Sequence, residues 1–264
     1  MLLECLSYHK HLGAGWLMLN RPDELNSLTA DLLGAISERL EEAAADQTLR
    51  ALVFTGAGRA FCAGADLKSL DALPQAERDQ RTAVFLAQAS ATFTAIVNFP
   101  KPVIAAVNGI ATAGGLELVL ACDIVVAAKG ARIGDGHANY GLLPGAGASV
   151  RLPRRVGAAR AKYLFFTGEL VPAETLVAAG LVNEVVENDK LIPRAEEIVS
   201  VLATKSPLGL ARMKQLANFG LDNASEAQGL AFEHALAVLH TSSFDRNEGI
   251  AAFKGRRAPK FEGR

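Results

Sequence analysis

The chain has 264 residues, of which half are hydrophobic and 21% charged, and its formal net charge is -1. That composition excludes a disordered chain, and the near-neutral charge leaves no electrostatic case for nucleic acid or an anionic membrane as main partner. Three cysteines, Cys5, Cys62 and Cys122, make neither a disulfide framework nor a zinc spacing.

The N-terminus lacks a basic region followed by an apolar run, so no signal peptide is read there. No uncharged apolar stretch approaches the ~20 residues that span a bilayer. The expectation is a cytoplasmic protein.

In chain order, a strand is expected to about Ser7, then a turn through Gly13 to Gly15 and a strand Trp16–Asn20, stopped by Arg21-Pro22-Asp23. Thr29 or Ser27 can cap a helix whose apolar face is Leu28, Leu32, Leu33, Ile36 and Leu40. Residues 51–55 are a continuous apolar run, the pattern of a buried strand. A Gly/Ala loop should follow over 56–66, then a long helix over 75–99. Pro100 and Pro102 bracket a strand Val103–Val107. Asn108-Gly109 reads as a turn, and Gly114-Gly115 as the opening of a helix that carries Glu117.

Strands are expected at Asp123–Ala128 and Ala131–Gly134. Beyond residue 147 the signals are nearly all helical, with breaks at Gly157, 168–172, Gly180, Ser206-Pro207 and Gly220. The reading is α/β: a core over residues 1–200 and a helical C-terminal segment over 201–264.

Two glycine loops carry chemistry. Arg59-Ala-Phe-Cys-Ala-Gly-Ala-Asp-Leu67 follows a buried strand and precedes a helix. Small residues at 63–65 admit close approach of a ligand to the main chain, and a loop entering a helix presents free N–H groups to negative charge. A tight packing turn would have the same composition. In Asn108-Gly-Ile-Ala-Thr-Ala-Gly-Gly-Leu-Glu117 a strand again ends in a glycine loop that starts a helix. Glu117, one turn on, either faces a shared cavity or complements the helix dipole.

Together these segments resemble the enoyl-CoA hydratase/isomerase, or crotonase, family. The resemblance extends through Leu19-Asn-Arg-Pro22, Tyr140-Gly-Leu-Leu-Pro-Gly-Ala-Gly147, Thr167-Gly168, Ala179-Gly-Leu-Val182 and Phe253-Lys-Gly-Arg-Arg-Ala-Pro-Lys-Phe261. It implies a spiral of repeated ββα units, assembly as a homotrimer or as paired trimers, and a C-terminal segment that serves as trimerisation element or lid. It also implies an acyl-CoA substrate, with coenzyme A part of that substrate rather than a cofactor, and no metal.

By motif, the backbone N–H groups of Ala65 and Gly114 form the oxyanion hole. CoA contacts fall at Glu24, Leu25, Ala63, Ala65, Asp66, Leu67 and Ile110, with the basic C-terminal Lys254 and Lys260 near phosphates. A solvated tail is the alternative for that basic cluster.

In family hydratases two glutamates hold the attacking water. Glu117 matches the first; at the second position this chain has His137. A histidine still donates or accepts a proton near neutrality, so Glu117 can activate water while His137 supplies the α-proton. Binding a polar group of the acyl chain, or lining the pocket without a proton role, are the other readings of His137. Asp135 shares a face with it only where the chain is extended. Leu143-Pro-Gly-Ala-Gly147 carries no acid, which lowers the hydrolase, dehalogenase and dienoyl-isomerase readings.

Gly56-Ala-Gly58 lacks the third glycine of a dinucleotide fingerprint, since Phe61 stands there. Cys62 has no histidine near it in sequence and reads as packing. His9, His11, His234 and His240 have no ligand spacing.

Three functions follow: hydration of a 2-enoyl-CoA by Glu117 and His137, a Δ3–Δ2 enoyl-CoA isomerase using Glu117 alone, and a non-catalytic CoA-binding scaffold.

Overall fold

The computed structural model describes residues 5–68, 74–221 and 225–264. Residues 1–4, where the first strand was expected to begin, lie outside the described residues. Strands β1 (Leu6–His11) and β2 (Ala14–Leu19) form an antiparallel hairpin. Helix α1 (Ala30–Ala45) follows, with the Thr29 hydroxyl accepting from Leu32 N at 3.2 Å. That cap satisfies an N–H which the helix itself leaves orphaned.

Thereafter the chain repeats one motif. A longer strand is followed by a short one and then a helix: β3 (Ala51–Gly56), β4 (Ala60–Cys62) and α2 (Gln75–Val97), then β5 (Val103–Val107), β6 (Ile110–Thr112) and α3 (Gly114–Ala121). A third unit begins with β7 (Ile124–Ala128) and β8 (Arg132–Gly134) and continues into α4 (Ala148–Val156) and α5 (Ala158–Thr167). Two further strands, β9 (Val171–Pro172) and β10 (Glu184–Val186), precede α6 (Leu191–Ala203).

Each unit sends its long strand to one sheet and its short strand to another. The six-stranded sheet has the order β1-β2-β3-β5-β7-β10, and the four-stranded sheet β4-β6-β8-β9. This is the ββα spiral that the resemblance implies. Helical crossovers between parallel strands bury the sheet on both faces, and the side chains agree. On one face Leu17, Leu19, Leu52, Phe54, Val103 and Val125 join α1, α2 and α3 in the larger core. On the other, Trp16, Val53, Ile104 and Val126 pack against Leu191, Ala195 and Val199 of α6. Every residue of β3 and of β5 is consequently buried, which accounts for their continuous apolar runs.

The differences from expectation are local. The first strand runs on to His11, and the second starts at Ala14 and ends at Leu19. The supposed loop 56–66 contains β4, and a short strand, β6, follows the Asn108-Gly109 turn. The region beyond residue 147 holds β9 and β10 among its helices. Strands of two or three residues have no readable periodicity, so composition suggested loop or helix.

The last helices are α7 (Pro207–Leu221), α8 (Glu226–Thr241) and α9 (Phe244–Lys254). Helix α6 runs across residues 200–201, and Thr204 to Ser206 separate it from α7. Gly220 lies within α7 rather than at a break. Among the described residues no helix is long and apolar enough to cross a membrane.

Candidate active site

The four-stranded sheet aligns β4, β6 and β8 in parallel. Equivalent ends of three successive repeats therefore lie side by side at their C-terminal edge, where ligands bind in parallel α/β sheets. The chain leaving β4 carries Ala63 to Asp66, the chain leaving β6 carries Ala113 and Gly114, and the chain leaving β8 carries Asp135 to His137. Residues more than seventy positions apart converge because the spiral stacks its short strands ~4.8 Å apart.

The two expected donors meet here. Ala65 is bridged to Leu28, but the hydrogen bonds of that bridge run from Leu28 N to Gly64 O (2.7 Å) and from Asp66 N to Leu28 O (2.9 Å). They bypass the Ala65 N–H. Gly114 is the first residue of α3, where an N–H has no acceptor within the helix. The two peptides almost touch: a Cβ built on Gly114 would stand 3.7 Å from Ala65 N and 2.7 Å from Leu28 Cδ1. Only glycine leaves room there for a ligand oxygen. The preceding Ala113 has φ 50° and ψ -119°, a strained conformation for a residue with a Cβ, and its N–H donates to Asp135 O at 2.7 Å. Strain of this kind persists where surrounding contacts enforce it, often at functional sites. Here it turns the chain from β6 straight into α3.

Glu117 is 3% exposed. It does not cap its own helix. Its Oε1 accepts from Ala146 N at 2.7 Å and Ala148 N at 3.0 Å, and no described donor reaches Oε2. The loop after Leu143 thus grips one carboxylate oxygen and leaves the other for substrate or water. Arg151 supports that grip, since its guanidinium donates to Ala146 O at 2.8 Å.

His137 opens a short 3-10 helix, His137–Tyr140. Its Nδ1 lies 3.0 Å from Asp135 Oδ1, and its backbone N–H donates to Asp135 Oδ2 at 3.2 Å. The contact that sequence tied to an extended chain is made by a turn instead. Gly136 at φ 70° folds the chain back on itself, a conformation that glycine enters freely. Burial disfavours the charged imidazole, but the hydrogen bond to Asp135 and the charges of Asp135 and Glu117 outweigh it, so the His137 pKa is raised. Asp135 is 1% exposed.

The expected CoA-contact residues are brought together in part. Leu25, at φ 52°, accepts from Ala63 N at 3.0 Å, joining the Glu24-Leu25 turn to the first glycine loop. Asp66 receives an ion pair from Arg21 at 2.8 Å, and Arg21 also donates to Ser27 O. Leu67 is exposed and Ile110 opens β6 beside this loop.

Lys254 and Lys260 lie elsewhere, in the C-terminal segment, and no described contact joins them to the loop. The basic tail there is strapped down rather than merely solvated. Arg257 forms a two-pronged pair with Glu248, at 2.6 and 2.8 Å, and Lys260 N donates to Glu248 Oε1 at 2.7 Å. Cys62 is buried, which pushes its thiol up to about 12 and leaves no thiolate for catalysis.

Sequence reasoning did not single out the Ala146 and Ala148 N–H groups or Arg151. Backbone donors carry no residue signature, and an arginine on an amphipathic helix looks like any other surface charge.

The model of the family described as "Enoyl-CoA hydratase/isomerase" matches residues 12–264. The 2,3-dehydroadipyl-CoA hydratase of Escherichia coli (strain K12) is 40% identical over 248 residues, 94% of each chain. The 1,2-epoxyphenylacetyl-CoA isomerase of the same organism is 35% identical over 263 residues, all of each chain. The crystal structure of an enoyl-CoA hydratase from Bacillus anthracis superposes with a TM-score of 0.93 at 34% identity, covering 98% of this chain and 100% of that one. The chain therefore belongs to the enoyl-CoA hydratase/isomerase (crotonase) family and is an acyl-CoA enzyme of the hydratase or isomerase type.

Proposed function

We propose that this enzyme adds water across the double bond of a 2-enoyl-CoA. The observation that carries the reading is the convergence, at one sheet edge, of two backbone N–H groups, a carboxylate oxygen and a histidine ring nitrogen that no partner among the described residues occupies.

The thioester oxygen accepts from Ala65 N and Gly114 N, which stabilise the enolate that forms as the β-carbon is attacked. Glu117 Oε2 takes a proton from water while the water oxygen bonds to the β-carbon. His137 Nε2–H gives a proton to the α-carbon as the enolate collapses. Glu117 then holds one proton and His137 lacks one, and exchange with solvent restores both. Glu24, Leu25, Ala63, Asp66, Leu67 and Ile110 line the approach of the CoA moiety.

The full-length likeness to an isomerase supports a second reading, in which Glu117 alone moves a proton between two carbons of a 3-enoyl-CoA. A non-catalytic scaffold does not fit membership of this enzyme family.

The same chain is proposed to assemble as a trimer or as paired trimers through residues 201–264, with Lys254 and Lys260 reaching phosphates of a CoA held by a neighbour. Helices α7 and α8 bury no residue within the protomer. Met213, Leu230, Leu239 and Phe253 stand exposed.

The test is loss of the conjugated enoyl-thioester absorbance, using crotonyl-CoA and a carboxylated enoyl-CoA. Glu117→Gln keeps an oxygen for Ala146 N and Ala148 N but cannot accept the proton, so kcat should fall about 10²–10⁴-fold. Wild-type inactivity on every 2-enoyl-CoA, with turnover of a 3-enoyl-CoA, would replace hydration by isomerisation.

A further inference from the structure

The geometry points to Asp135 as a positioning residue for His137: it takes the Nδ1 hydrogen, favours the imidazolium, and leaves Nε2–H to face the acyl group as the proton donor. This deepens the hydration reading and rests on it for the donor role.

Three features carry the inference. Asp135 is among the few charged side chains buried to this degree, and a buried carboxylate is costly unless its oxygens are occupied. Here both are: Oδ1 meets His137 Nδ1 at 3.0 Å and Oδ2 accepts from His137 N at 3.2 Å. A carboxylate has no hydrogen to donate, so the Nδ1 partner must carry one. The ring is thereby left with Nε2 as its free nitrogen, whatever its charge state.

The arrangement is also anchored from outside the turn. Ala113 N donates to Asp135 O, which ties the Asp135 backbone to the peptide immediately before Gly114. The Thr112 side chain fills the space that a Cβ on Gly136 would need, with Oγ1 only 2.3 Å from that position. The dyad and the oxyanion donor of α3 are therefore parts of one hydrogen-bonded edge.

The second glutamate that the family pattern would place at position 137 needs no such partner, because a carboxylate has two equivalent oxygens. A histidine has two inequivalent nitrogens: with Nδ1 committed to Asp135 the neutral ring turns a lone pair to the substrate, and only the imidazolium, which Asp135 favours, carries a proton on Nε2. The charged groups acting on the ring are Asp135 at the end of β8 and Glu117 from α3. Both favour the imidazolium, and burial opposes it. Without Asp135 only Glu117 would counter burial.

The experiment is a 15N titration of the His137 ring in the whole enzyme, wild type and Asp135→Asn, alongside pH profiles of kcat and KM on crotonyl-CoA. In wild type the neutral ring should carry its hydrogen on Nδ1, and the ring should titrate above the ordinary 6.5. A raised pKa keeps the donor charged to higher pH, so activity should fall as pH rises through that value. In Asp135→Asn the ring should titrate lower than in wild type, the alkaline limb should move down with it, and kcat should drop about 10- to 100-fold with KM within about 3-fold.

A wild-type ring with its hydrogen on Nε2 would overturn the proposal without any variant. So would an Asp135→Asn enzyme whose ring titration and alkaline limb stay in place. If no 2-enoyl-CoA is hydrated, the hydration reading fails on its own, and the ring titration still decides whether Asp135 sets the tautomer.

Discussion

The spiral core and the C-terminal helices are held by different forces. In the core, strands β3 and β5 are buried along their whole length between α1, α2 and α3 on one side and α6 on the other. Apolar burial there positions three loops tightly enough to align individual N–H groups. In the C-terminal segment no residue of α7 or α8 is fully buried, and polar contacts tie α7 to the core. Lys214 pairs with Asp123 at 2.8 Å and reaches Ile96 O, while Asn218 donates to Val97 O. At the far end, Asp245 collects Ser206 Oγ and the N–H groups of Glu262 and Gly263. The contrast shows a division of labour. Burial within one chain builds the site, while the last helices leave apolar side chains such as Met213, Leu230 and Leu239 exposed on the protomer, the surface through which assembly is proposed.

Substitutions in the two regions should therefore part company. Phe54→Ala empties a fully buried position in β3 and should cost about 3–5 kcal/mol by denaturant titration. A much smaller loss would mean the core is not the stable half of the molecule.

Lys214→Met tests the polar latch. Removing one partner of a fully buried pair costs ~3–5 kcal/mol; Asp123 keeps 27% of its side-chain exposure and a bond from Val103 N, so about 1–3 kcal/mol is expected at neutral pH. Burial raises the Asp123 pKa against the opposing pull of Lys214. Without the lysine it rises further. A group whose folded pKa is raised stabilises the fold below its unfolded value and loses that contribution as pH rises through the folded value. The deficit should thus shrink on acidification, which thermal melts across the acidic range would show.

Phe253→Ser gives the smallest effect on the protomer and the sharpest test of the contrast. The ring is 86% exposed, so protomer stability should change by less than about 0.5 kcal/mol. Light scattering should nonetheless show a loss of assembly. Unchanged assembly would place the interface elsewhere.

Much of the fold was legible in residue order. The apolar runs of β3 and β5, a hydroxyl cap at Ser27 or Thr29 (the structure selects Thr29) and the glycine openings of the two loops follow from local rules that need no neighbours. The short strands β4, β6 and β8 were not legible, because three residues are too few for a period, and they exist only through pairing with one another.

The site divides the same way. Sequence alone determined its vocabulary: glycine where the main chain must approach a ligand, a glutamate one turn into a helix, and a histidine where the family pattern has a second glutamate. Tertiary structure decided what these groups do. Glu117 is a held carboxylate rather than a cap because peptides 29 and 31 residues away donate to it, and peptide groups look alike in any sequence. Asp135 reaches His137 because Gly136 takes a left-handed turn, locked by a backbone bond to the neighbouring β6 chain. Periodicity reports which face a residue occupies; only the stacking of three repeats sets which faces meet.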